Sequence, residues 1–467
     1  MRARPARGWL NIKGKQSQNG QALIYGLFML TAGLAALFFL FNVSQLTREK
    51  TKLVNTSDAV AYSAGIMHAR AMNFASYTNR ALVADEVAIA QMVSLASWGK
   101  YLLQHGQSAI GLGCDPQRYY GIFAEPVAEG MFVYAPVCES LGYGYRYNVL
   151  ERTNTAIQKI GQAVVIASEV SKTVLKASQA VMMGSIGVAR RAVMQDVAEA
   201  NYANDGNIKV DEIPLRDTFF AYNGSPIMHY YRGEERGRMR DLVVNVVNKD
   251  RFVAARNWGD TATIPEPSCL VVGVYHNYVN RTGGTQLMGF DEWQAQDQAT
   301  YYRRWLRVRR FSLPSCRTSG QTLGTGSQRA TTGSTTSSSS DDWKYSGIPS
   351  YAELSQDALK DPDPRAQFVI RVLRESAQTR TSDGRSAIHT TPRLNDYQSG
   401  VPTDLASGKS VYVGLSASET FFERPVGRAD GNKELASLFN PYWQTHLMEV
   451  PADVRAAAQA LQGAVSP

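Results

Sequence analysis

Residues 23–41 read LIYGLFMLTAGLAALFFLF, inside a longer window, residues 16–47, that holds no charged side chain. A helix rises about 1.5 Å per residue, so roughly 20 such residues cross a ~30 Å hydrocarbon core. Arg2, Arg4, Arg7, Lys13 and Lys15 precede the run with no acid among them, and Arg48, Lys50 and Lys52 follow it. That asymmetry favours a cytoplasmic N-terminus. A cleaved secretory leader would carry a shorter apolar core, about 7–15 residues, and a small-x-small site. The exit here, Phe41-Asn42-Val43-Ser44-Gln45-Leu46, has no such site. The reading is a basic cytoplasmic leader over 1–20 and a retained membrane helix over 21–43, with everything later extracytoplasmic.

The chain has 467 residues, 44% hydrophobic and 19% charged, which is globular composition rather than that of a disordered protein. Its net charge of +8 is spread along the chain and names no partner. Nucleic acid is not expected as one. Cys114, Cys138, Cys269 and Cys316 form no CxxC pair, so the usual clustering of metal ligands is missing. Export would favour disulfides, and order along the chain suggests Cys114–Cys138 and Cys269–Cys316. Three pairings exist for four cysteines, and four buried free thiols remain the alternative.

Two motifs flank the membrane run. Gly20-Gln21-Ala22-Leu23 leads into it, and Asn55-Thr56-Ser57-Asp58-Ala59-Val60-Ala61-Tyr62-Ser63-Ala64-Gly65 follows a short polar stretch. Together they resemble the N-terminal module of the Tad (tight adherence) or Flp pilus assembly proteins, the TadE/TadG-like group. Arg281-Thr282-Gly283-Gly284-Thr285 and Leu438-Phe439-Asn440-Pro441-Tyr442-Trp443 look like segments of the longer, TadG-related members. The resemblance implies a bacterial inner-membrane protein of a type IVb pilus system, with pilins or other assembly proteins as partners. It also makes Gly20–Gln21 a possible processing site. Prepilin-type chains carry Glu at the fifth position after the cleavage-site Gly, whereas here that residue is Tyr25. A phenol, with a reference pKa of about 10, cannot pair with a new amino terminus at neutral pH. The chain is therefore expected to persist uncleaved. The Asp-x-Ser-x-Ser metal signature of members with a von Willebrand A-type domain is absent, so no metal-dependent adhesion module is implied.

Beyond the membrane, residues 45–103 are rich in alanine, lack proline and contain only Gly65 and Gly99. They read as one long helix or two nearly continuous ones, weakest between Asn73 and Asn79. Residues 114–147 read as an irregular connection. A second helix is expected over about 148–200. Ile157, Ile160, Val164, Ala167, Ser171, Val174, Ser178, Val181, Ser185, Val188 and Ala192 step along it at heptad spacing. That stripe serves either an intramolecular hairpin with the first helix, the preferred reading, or a coiled-coil contact with another subunit. Residues 206–316 mix short elements, including a strand over 301–311 that carries five arginines. Of the 25 residues over 317–341, 14 are Ser or Thr and four are Gly, which reads as a flexible linker. The region 342–467 is β-rich, with alternation at Phe368, Ile370 and Val372 and at Val411, Val413 and Leu415, and ends in a helix from Pro451.

No HExxH, GxSxG or GxxxxGK[ST] motif occurs, and the six histidines are dispersed. No catalytic residue, cofactor or metal site is expected. The fold class expected is α+β: an N-terminal transmembrane pilin-like helix, a long helical hairpin over 44–205 and a C-terminal β-rich extracytoplasmic region. The function expected is a membrane-anchored structural or assembly component of a Tad-type pilus, associating through its helices. The rivals are a surface-displayed minor pilin or adhesin, and an anchored envelope hydrolase with an unfamiliar site.

Overall fold

The computed structural model describes residues 21–107, 146–203, 207–213, 216–257, 276–334, 342–375 and 411–461, with 144, 264–265, 269, 378, 380–381 and 384–385 as short pieces between them. Helix α1 (Gln21–Gln107) is unbroken, passing through Asn73 and Asn79 without a kink residue. After a π-helical turn, Arg146–Leu150, comes α2 (Glu151–Asn201). The chain continues as β1 (Ile208–Glu212), β2 (Met228–Tyr231), a 3-10 turn (Gly233–Arg236) and α3 (Gly237–Val247). Next are β3 (Arg256–Asn257), β4 (Ile264–Pro265), β5 (His276–Met288), β6 (Glu292–Arg309), β7 (Ser312–Thr331), β8 (Trp343–Lys344), β9 (Tyr351–Leu354) and α4 (Gln356–Lys360). The described chain closes with β10 (Ala366–Glu375), β11 (Arg380–Thr381), β12 (Gly384–Arg385), β13 (Val411–Phe422), β14 (Trp443–Met448) and α5 (Ala452–Leu461). The α+β class, with two long helices ahead of a β-rich region, is what the sequence led us to expect.

Helix α1 is the spine. Its first part, over 23–41, touches no other element, and every residue there is exposed. From Leu53 onward one face is covered by strands and another by α2, which runs antiparallel to α1 as a hairpin. An antiparallel sheet in the order β1-β10-β13-β14 packs on the nearer half, where Phe368, Ile370 and Val372 meet Leu53, Val60 and Ala64. A larger sheet, β3-β5-β6-β7-β8 with β4 beside β5, packs on the farther half around Leu82, Ile89, Val93 and Trp293. Strand β1 lies just after α2 in sequence yet pairs with β10, so the region over 206–316 and the C-terminal region interleave in one sheet.

Glycine and alanine set how closely strand and helix approach. A Cβ at Gly326 would run into the Ser97 carbonyl and the Tyr101 amide of α1, and one at Gly324 into the His105 backbone. Nearer the 23–41 run, Gly414 sits against Leu53 and Ser57, and Gly65 against Ser418 and Thr445. This corrects the linker expected over 317–341 as far as Thr331, while residues 335–341 lie outside the described residues. Over 317–331 the chain is part of strand β7, paired with β6 from Arg317 opposite Trp305 to Thr331 opposite Glu292. Residues 323–330 bury Gly324, Gly326, Gln328 and Ala330 in alternation. The strand gains its contact largely by bringing glycine backbone against a helix, with Leu323 and Ala330 as the apolar side chains it buries.

The Asn73-to-Asn79 stretch and the segment 438–443 meet. The Asn73 amide donates to the Trp443 carbonyl at 2.9 Å, and its oxygen accepts from the Trp443 N–H at 3.1 Å. Ser76 donates to the Asn440 carbonyl, and Asn79 donates to the carbonyls of Leu438 and Ala352 at 2.6 and 2.7 Å. These side chains hold an irregular strap against α1, so its orphan carbonyls are satisfied. They do not weaken the helix.

Gly326→Ala should destabilise the protein by about 1–3 kcal/mol, the usual cost of overpacking a closed contact. Gly427→Ala, at a site with nothing within 4 Å, is the control and should leave the midpoint unchanged. Denaturant unfolding of the two variants checks this.

Candidate docking surface and the polar seam behind it

The buried face of α2 is built from Gln158, Gly161, Val165, Ser168, Lys172, Gln179, Ile186, Arg190, Met194 and Ala198. Between residues 160 and 190 the charged residues of α2 are Glu169, Lys172, Lys176 and Arg190, and none of them is exposed. The opposite face carries Ile160, Ala163, Ala167, Val170, Val174, Ala177, Val181, Gly184 and Val188, all exposed, with Val174, Val181 and Val188 at 62–70%. The spacing alternates three and four residues over four heptads, the period of a left-handed coiled-coil seam. Helix α2 is thus turned with its charges inward and its apolar stripe outward.

The hairpin with α1 forms through only part of the stripe that the heptad count marked for it: Ile157 packs against Gly99 and Ser171 hydrogen-bonds Asp85. Ile160, Ala167, Val174, Val181 and Val188 from that stripe all lie on the outside. The reason is the face that α1 offers, lined by small or polar side chains such as Ala75, Asn79, Glu86 and Ala96. Small and hydrogen-bonding side chains on α2 match it better than valines.

Four polar contacts run down the seam. Gln158 donates to the Ala96 carbonyl at 3.1 Å. One α-helical span further, the Lys172 ammonium sits 2.7 Å from both Glu86 and Glu169 and donates to the Gly347 carbonyl at 3.0 Å. The other Glu86 oxygen accepts from the Tyr345 hydroxyl at 2.7 Å and from the Trp293 indole at 2.9 Å. Burial first, then the Glu86 charge, holds the Tyr345 phenol well above its ordinary value, so it stays a donor. Next, the Gln179 amide donates to Thr78 and to Asn79 at 2.6 and 2.8 Å, and its oxygen accepts from the Ala352 N–H.

The last contact joins Arg190 to His68. One guanidinium nitrogen lies 3.0 Å from His68 Nε2, and another bonds Asp217 at 2.7 Å and Glu212 at 3.1 Å. The imidazole stacks on Phe219 with ring centres 4.1 Å apart. Burial, with Arg190 adding to it, holds the His68 pKa well below 6.5. A neutral imidazole is therefore the acceptor for Arg190.

Sequence reasoning placed His68 among dispersed histidines and did not single out Glu86, Lys172, Gln179 or Arg190. The available hint was that Lys172, Gln179 and Arg190 share a helical face with Gly161 and Ser168. Of the residues it did single out, Gly20, Cys114 and Cys138 lie outside the described residues, and Gln21 is the first residue of α1. Cys269 and Cys316 come together, with Cα atoms 5.9 Å apart and their sulfurs joined. Asp58 accepts from the Ser416 hydroxyl of β13 at 2.8 Å. Among the described residues, no group of three or more His, Cys, Asp or Glu side chains is arranged to hold a metal ion.

His68 also sets a pH response. Its folded pKa is below the unfolded 6.5, so below that pH the unfolded chain binds a proton that the folded chain refuses. Stability should fall with acidification by at most roughly 1.4 kcal/mol per pH unit until His68 itself titrates. His68→Gln should remove that part of the slope between pH 7.5 and 5.5, as melting temperatures across the range will show.

Residues 20–71 match a family model described as "Putative Flp pilus-assembly TadE/G-like". No curated protein and no solved structure matches the chain. The matched residues, similar to that TadE/G-like domain, cover the exposed apolar run of α1 and the small-residue stretch over which the β10–β13–β14 strands settle.

Proposed function

We propose that this protein is a single-pass inner-membrane component of a Tad-type, type IVb pilus, with residues 1–20 cytoplasmic and 44–467 in the periplasm. The observation that carries the reading is the coincidence of the pilus-assembly match with an apolar helical run, 23–41, that the fold leaves uncovered. Apolar surface of that length, free of charge, is stabilised by lipid rather than by water. The domain is then held upright on a continuous helix, and the role is structural, as an assembly factor, rather than catalytic.

Docking on pilins or sister assembly proteins uses the outer face of α2. Its stripe runs along the axis of the anchoring helix, so partners held in the same membrane present their own helices parallel to it. The small residues Ala163, Ala177 and Gly184 between the valines allow close helix approach. The leader stays attached, since Tyr25 cannot supply the carboxylate that a processed pilin uses. The disulfide between Cys269 and Cys316 fits a periplasmic location.

An alkaline phosphatase fused after Pro467 should be active, because that enzyme matures only outside the cytoplasm. An inactive fusion with an active cytoplasmic reporter at the same position contradicts the topology. Terminal sequencing of the membrane-extracted protein should find the chain intact. A chain beginning at Gln21 and copurifying with sheared pili would make it a minor pilin instead. Val174→Glu with Val181→Glu should abolish piliation while the protein still accumulates and melts as the wild type does. Normal piliation in that variant removes the docking role.

A further inference from the structure

Past Tyr302, where β5 stops pairing with it, β6 continues with β7 alone as a two-stranded hairpin beyond the contact with α1. Gly326 lies against Ser97 and Tyr101, and Gly324 against His105, so β7 read backwards moves toward the far end of α1, away from residues 23–41. From Gly324 to Ser312 strand β7 extends on the order of 40 Å at ~3.3 Å per residue, the last ~23 Å of it, from Ser319, in the two-stranded part. Its turn is the two residues Arg310 and Phe311, between Arg309 and Ser312.

The tip has an unusual composition. Phe311 is 98% exposed, Leu313 90% and Val308 69%. Around them are Arg309 and Arg310, and further down one face Arg303, Arg307 and Arg317 flank the half-exposed Trp305, which stands opposite Arg317. No Asp or Glu occurs between Gln298 and Ser340. Among the described residues, no carboxylate pairs with any of these five arginines. The Cys269–Cys316 link joins the hairpin at Cys316, the residue opposite Leu306.

We propose that this tip inserts into an anionic lipid surface facing the membrane that holds residues 23–41, so that the protein bridges two bilayers. This rests on the anchoring described under the proposed function. Charge complementarity selects an anionic partner. The shape selects lipid: Phe311, Leu313 and Val308 project from a narrow convex turn, which needs a yielding apolar phase rather than a preformed pocket. Arginine suits the boundary, because its guanidinium binds phosphate in a bidentate manner while its methylenes stay in the apolar zone. The anchoring bilayer itself is out of reach. Residues 43–107 of α1 span about 96 Å at 1.5 Å per residue, and the hairpin points onward from there.

Full-length protein in neutral phosphatidylcholine nanodiscs, mixed with vesicles of phosphatidylcholine with or without phosphatidylglycerol, tests the proposal by co-flotation. Capture of the phosphatidylglycerol vesicles alone is expected, weakening as salt rises. Phe311→Asp with Leu313→Asp, and separately Arg309→Glu with Arg310→Glu, should each lower capture at least about tenfold. Both variants should keep the wild-type melting temperature, since the tip is exposed. Equal capture of neutral vesicles, or wild-type capture by both variants, overturns the proposal. So does absence of capture together with a tip-dependent acidic protein copurifying from envelopes, which would make the tip a protein interface. Failure of the chain to enter nanodiscs would instead strike at the anchor.

Discussion

The ion pair between Lys172 and Glu86 sets the geometry on which the rest of the structure depends. Both side chains are fully buried, 2.7 Å apart, and Glu86 also accepts from Tyr345 and Trp293 while Lys172 reaches Glu169 and the Gly347 carbonyl. One cluster therefore joins α1, α2, β6 and the segment after β8. Buried pairs of this kind contribute little net stability over an apolar substitute, but breaking one partner costs about 3–5 kcal/mol because the other charge is left in the interior. Their effect is selective. Slipping α2 by a turn would separate Lys172 from Glu86, Gln179 from Asn79 and Arg190 from His68 together.

That selectivity explains why an apolar stripe ends up in water. With Lys172, Gln179 and Arg190 committed inward, Val174, Val181 and Val188 are rotated outward. A soluble monomer rarely presents so long an apolar row. The row and the uncovered run over 23–41 lie along the same pair of antiparallel helices. In the proposed reading, one of them meets lipid and the other meets protein.

Much of this was legible in the sequence, and the failures have specific causes. Unbroken apolar composition revealed the 23–41 run, and alanine content without proline revealed the rest of α1. Alternation at Phe368, Ile370 and Val372 revealed β10, whose side chains do face α1. Periodicity also found the stripe on α2 but could not say which partner it faces, because a heptad pattern marks a seam without naming its other side. The seam actually used in the hairpin is polar, and pairing between residues such as Glu86 and Lys172 leaves no trace in a hydropathy pattern. Strand β7 was missed because much of the burial there is burial of glycine backbone, which composition reports as flexibility. The Asn73-to-Asn79 stretch looked weak because its partners, residues 438–443, lie far along the chain.

In the proposed reading, α2 turns its apolar face outward to receive a pilus partner. Single cysteines at Val174 and at Ser168, in a background where the native cysteines are left to pair, report on it through a membrane-impermeant maleimide. Val174→Cys should react readily in the purified protein and be protected in cells that assemble pili, while Ser168→Cys stays unreactive in both. Reaction at Ser168→Cys, or equal labelling of Val174→Cys with and without assembling pili, would contradict the account.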